Sequence, residues 1–188
     1  MNNEQLKRMI MKKLIVSVCA MVVLGISSAA ASEPGAEAGI PKPPPSSAEF
    51  ERLKSLVGTW QGRVDMGQGP VDMTAKYRLL AGGTVLEERV FEGTPNEMIT
   101  MFYDKGGKLA LTHYCVLGNR PGMILKTASD KELAFAFDES CGINPKKESH
   151  MHAMTLRFDD PNTMTASCKA IMDGKEMEEK PAVLKRVN

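Results

Sequence analysis

Three histidines occur in this chain, and each falls on a strand pattern whose other residues are apolar. Along 109–116, His113 and Cys115 alternate with Leu109 and Leu111 on one face, because successive strand side chains point to opposite sides. Along 150–158, the same alternation groups His150, His152, Met154, Leu156 and Phe158. An H-x-H pair spaces two imidazoles by roughly 6.5–7 Å along a strand. A third ligand from a neighbouring strand, His113 or Cys115, would complete a zinc or copper set, and the Met154 thioether would bias it toward Cu(I). The metal candidates are therefore His113, His150 and His152. Two plainer chemistries compete with the metal. The same side chains, with Arg120 after the first strand and Trp60, could contact a molecule held in an apolar pocket. Alternatively, the imidazoles are satisfied structurally by a tyrosine hydroxyl, a carbonyl or a water.

Catalysis has less behind it. Cys115 and His113 suggest a thiol–imidazole pair, but same-face i, i+2 side chains on an ideal strand are too far apart for a direct hydrogen bond. No G-x-S-x-G elbow or phosphate-cradling loop is present. A binding domain is expected rather than an enzyme.

The elements that must position these residues are short and closely spaced. Ser46-Ser47-Ala48-Glu49 fits a capping box. Phe50, Leu53, Leu56 and Val57 then share a helical face, which predicts a helix over 48–56, stopped by Gly58. From there the period is two. Strands are predicted over 59–66, 71–79, 84–91, 98–103, 109–116, 123–128, 132–137, 150–158, 163–172, 175–180 and 183–187, most of them separated by Gly-, Asn-, Asp- or Pro-containing turns. With no βαβ rhythm, this is an all-β antiparallel meander. Closure into an 8–10-stranded barrel removes the exposed edges and leaves room for one small ligand.

The 188 residues divide into three parts. Lys12 and Lys13, an apolar run over 14–26 and the small residues Ala29-Ala30-Ala31 read as a signal peptide over 1–31, too short in its apolar part to span a membrane. A Pro/Gly-rich stretch over 32–46 reads as a disordered linker, and 47–188 as the barrel. A periplasmic or secreted location follows, with no stable membrane insertion after cleavage. Four basic residues and one acid leave with the leader. From totals of 24 basic and 23 acidic residues, 20 and 22 remain, a net charge of about −2 with no basic stripe, so nucleic acid is not an expected partner. Cys115, Cys141 and Cys168 remain, which allows one disulfide with three choices of pairing, or buried thiols. Of 14 methionines ten remain, which suits a pliant apolar pocket.

Leu56-Val57-Gly58-Thr59-Trp60-Gln61-Gly62, a turn leading into G-x-W on the first strand, resembles the lipocalin-like (calycin) barrels. The G-T-W-x-G form is most similar to bacterial exported domains related to nitrobindin. The segments LTHYCVLGNRPGM, HMHAMTLRF and DGKE…LKRV look like a subgroup of those domains without assigned function. The resemblance covers roughly 50–187. It implies that Trp60 closes the barrel floor with Arg186 as its basic partner. It also implies that a small apolar molecule, or haem, occupies the interior. The haem-ligating histidine of nitrobindin comes late in the chain, and no histidine follows His152 here.

Overall fold

A computed structural model describes residues 42–188 apart from 66, 68, 179 and 188. The predicted leader over 1–31 and most of the predicted linker lie outside the described residues. Helix α1, Ala48–Leu53, continues as a single 3-10 turn over Lys54–Leu56. Its start differs by one residue from the capping-box expectation. Ser47, not Ser46, is the N-cap, its Oγ accepting from Phe50 N–H at 3.1 Å. The carboxylate that would complete a capping box comes from a distant strand: Asp104 accepts from both Ser47 N–H and Ser47 Oγ–H at 2.7 Å.

Eleven strands follow among the described residues: β1 Gly58–Asp65, β2 Pro70–Leu80, β3 Val85–Val90, β4 Met98–Lys105, β5 Lys108–Tyr114, β6 Gly122–Ser129, β7 Glu132–Phe137, β8 His150–Asp160, β9 Thr163–Met172, β10 Lys175–Glu178 and β11 Ala182–Val187. From β1 to β9 each strand pairs antiparallel with the next. β11 then pairs with β9 on one side and β1 on the other, which closes a ten-stranded antiparallel barrel. β10 lies end to end with β11 along the same edge of β9, with Glu176 opposite Ile171 and Val183 opposite Thr165. Pro181, which has no N–H to donate, sits in the break between them.

The inward faces differ at the two ends. At one end α1 plugs the barrel: Phe50, Leu53 and Leu56 join Trp60, Leu86, Phe102, Leu109, Leu111, Leu133, Phe135, Leu156 and Met164 in a continuous core. Arg52 fastens the plug, donating to the Ser129 and Glu132 carbonyls and lying over the Phe158 ring. The G-T-W-Q-G segment is shaped by close approach. Gly58 has φ +130°, and a Cβ there would stand 2.9 Å from the Arg186 guanidinium. A Cβ on Gly62 would stand 2.2 Å from the Val183 carbonyl oxygen, so the close approach of β1 and β11 at this position requires glycine. Trp60 donates from Nε1 to the Leu56 carbonyl at 2.7 Å. Arg186 lies 4.3 Å above its ring and donates to the Val57 and Ser55 carbonyls at 2.7 and 2.6 Å. The other end of the barrel is hollow.

Candidate functional site

The hollow end is a cavity of about 340 Å³. Its wall is apolar, with Met73, Val90, Met98, Met151, Met154 and Leu184 prominent. The cavity's depth is set on three adjacent strands by one polar level. Toward the plug, β3, β4 and β5 carry Leu86, Phe102 and Leu111 in the core. Toward the mouth they lead to Val90, Met98 and Cys115, all lining the cavity. Between these levels lie Glu88, Thr100 and His113, and β2 extends the row with Tyr77.

Strand register makes this row. Tyr77 stands opposite Glu88, Glu88 opposite Thr100, and Thr100 opposite His113. The Tyr77 hydroxyl donates to Glu88 Oε1, Thr100 Oγ1 meets His113 Nδ1 at 3.0 Å, and the Thr100 side chain also favours the charged form of the Glu88 carboxyl. When Glu88 is ionised and takes the Thr100 hydroxyl proton, His113 Nδ1–H is the donor to Thr100 Oγ1. That tautomer leaves the lone pair of Nε2 on the ring edge away from Thr100. Glu88 and His113 are each 6% exposed. Burial raises the Glu88 pKa above its ordinary value and lowers that of His113 to about 4. Tyr77 is pushed well up, by burial first and by the neighbouring Glu88 second.

The structure separates the residues the sequence grouped together. His113, Cys115 and Met154 line the cavity; His150 and His152 do not. The cause is a β-bulge. The register between β8 and β9 shifts between Met151 and Ala153, so Met151, opposite the cavity-lining Ala170, takes the inward place that strict alternation assigns to His150 and His152. The two imidazoles pack on Phe137, with ring centroids 4.6 and 5.4 Å away. Instead of standing roughly 6.5–7 Å apart, they share a hydrogen bond, His150 Nε2 to His152 Nδ1 at 3.1 Å. His150, fully buried, bonds the Glu148 carbonyl through Nδ1 at 2.7 Å. The structural alternative of an imidazole satisfied by a carbonyl thus describes His150.

The proposed His113/His150/His152 metal set is accordingly not assembled. Among the described residues no group of three or more His, Cys, Asp or Glu is placed to hold a metal. Haem fits no better. Among the described residues, His113 is the single imidazole lining the cavity, and the one lysine or arginine lining it, Lys180, is engaged with Asp65 at 2.9 Å, so no described cation faces a propionate there. Arg120 lines a separate shallow recess with Glu97, Tyr114 and Asn119. Trp60 belongs to the plugged end, on an outer crevice shared with Arg52 and Arg186. Cys115, Cys141 and Cys168 stand as thiols, and Cys115 and Cys168 both line the cavity.

Sequence reasoning missed Tyr77, Glu88 and Thr100. The available signal was a glutamate at the same strand parity as Leu86 and Val90, a charged residue in an inward position.

Fold and cavity define a ten-stranded antiparallel barrel, plugged at one end and hollow at the other. It is similar in fold to the crystal structure of a protein of unknown function from the DUF3598 family of Nostoc punctiforme PCC 73102. The TM-score is 0.51 at 15% sequence identity, covering 80% of this chain and 53% of that one. The chain thus spans about half the length of that protein, and the likeness concerns the fold alone. No protein-family model matches the chain, and no curated protein matches it. The barrel agrees with the fold that the lipocalin-like resemblance implies; a likeness to lipocalins or nitrobindin in particular is not shown.

Proposed function

We propose that this protein binds a small, largely apolar molecule inside the barrel, with the polar end of the ligand at the Glu88–Thr100–His113 level. The observation that carries this reading is the cavity itself: about 340 Å³, within the size range of small-molecule sites, walled by apolar side chains and provided with one polar level. The methionines suit a wall that adapts to its guest. The proposal includes the lipocalin-like kind of barrel, supported by Trp60 under Arg186 at the floor. It also includes export to the periplasm or beyond, supported by the leader-like sequence over 1–31.

The test uses N-phenyl-1-naphthylamine, an uncharged dye that fluoresces in apolar surroundings. The wild-type protein should bind it saturably. Ala170→Trp, placed on the cavity wall, should abolish binding while leaving the thermal midpoint unchanged or raised. Equal binding by both proteins would refute an internal site. Native mass spectrometry of protein recovered from its source should then reveal a retained organic mass.

A further inference from the structure

We infer that the natural guest is an apolar molecule ending in a protonated amine, held by Glu88 and His113; this rests on the cavity being a ligand site. Two independent features of the wall point there. The first is charge. Glu88 and its sequence neighbour Glu87 are both buried, but on opposite faces of β3. Glu87 is served by Arg78, at 2.9 and 3.1 Å, and by Arg89 at 3.3 Å. Glu88 accepts from the Tyr77 hydroxyl, with the Thr100 side chain as its other polar neighbour. Among the described residues, the other charged groups lining the cavity, Asp65 and Lys180, satisfy each other, and the Lys180 side chain is 80% exposed. A buried carboxylate without a cation is costly, and a cationic guest removes that cost.

The second feature is hydrogen-bond polarity. When Glu88 is ionised, the hydroxyl protons of Tyr77 and Thr100 are directed at its carboxylate and Nδ1–H of His113 at Thr100, so the row then offers the cavity lone pairs: those left on Glu88 and that of His113 Nε2. An ammonium carries three donors and no acceptor, which is the complement. A hydroxyl can answer with one donor. A carboxylate has none, and would meet a like charge beside a neutral imidazole. Burial, which disfavours the charged form of both Glu88 and His113, leaves the empty cavity without a cation of its own. An amine entering as the free base can take the proton of a protonated Glu88, giving an ammonium–carboxylate pair with no net charge brought in.

The experiment is displacement of N-phenyl-1-naphthylamine by three probes of one chain length: octylamine, 1-octanol and octanoate. On the wild-type protein, octylamine should bind at least about tenfold more tightly than octanoate, with octanol between them. In Glu88→Gln, which keeps the shape and removes the charge, octylamine should lose about tenfold while octanol changes little. Octanoate binding as well as octylamine, or an order unchanged by Glu88→Gln, overturns the inference and leaves the apolar-ligand reading standing. Failure of all three to displace a dye that does bind inside overturns the inference and leaves the apolar-ligand reading standing, whereas failure of the dye itself to bind overturns both. If Glu88→Gln does not fold, the ranking on the wild-type protein decides alone.

Discussion

The two ends of this barrel are built from the same ten strands and obey opposite rules. At the plugged end large apolar side chains fill the core, and the polar groups beside Trp60 are held by backbone carbonyls. The Trp60 indole N–H goes to Leu56, and the Arg186 guanidinium to Val57 and Ser55. At the hollow end the side chains stop short of one another, and the polar groups bond one another in a row that ends on open space. The lesson is a division of labour: one half supplies packing, and the other half is left incomplete so that a guest can complete it.

The largest test of that division compares two apolar truncations. Trp60→Ala removes a fully buried ring from a dense core and should cost about 3–5 kcal/mol. Met154→Ala enlarges a cavity that already exists and should cost about 2 kcal/mol, the low end for such a change. Denaturant midpoints measure both. Equal costs would mean that the hollow end is as much a stability core as the plug.

How far the sequence showed this depends on what decides each feature. The helix, the strands and the antiparallel closure were legible because period-2 alternation and two-residue turns are local. The Trp60–Arg186 floor was legible through the resemblance carried by G-T-W-Q-G. The histidine cluster was misplaced because a bulge is invisible to alternation. One extra residue at 151–153 rotates His150 and His152 out of the cavity lining and brings Met151 in. The Glu88 row was hidden differently. Glu87-Glu88-Arg89 reads as a solvated charge run, and only strand register shows that its middle residue faces inward beside Tyr77 and Thr100. The glutamate that most distinguishes this cavity was thus masked by its neighbours.

A second test concerns protons at the hollow end. The folded pKa of His113 is about 4 against an unfolded 6.5. The neutral imidazole therefore contributes stability that is fully present above pH 6.5 and lost as pH falls through about 4. At 1.36 kcal/mol per unit this is at most ~3 kcal/mol. Glu88 has the opposite sign. Its raised pKa favours the fold at low pH, with that stability lost as pH rises through the folded value. His113→Gln removes the first contribution and keeps the second, so the difference in stability between wild type and variant should shrink on acidification from pH 6.5 to 4. Chemical denaturation at several pH values measures it. A difference independent of pH would place the imidazole in contact with water and undo the dry polar level.

The smallest test acts on the plug without touching the cavity. Ser47 caps α1 through Oγ and ties it to Asp104 at the end of β4 through both N–H and Oγ–H. Ser47→Ala removes the cap and one of the two bonds to Asp104, and should cost about 1 kcal/mol. Asp104→Asn keeps one acceptor for the Ser47 N–H and weakens the pair less. Both substitutions lie at the far end of β4 from Met98 and Thr100, which line the cavity. Dye affinity should therefore stay within about twofold, less than 0.5 kcal/mol, while the denaturation midpoint falls. If Ser47→Ala weakens dye binding in proportion to its loss of stability, plug and cavity form one cooperative unit, and the helix then counts as part of the binding site rather than as its lid at the opposite end.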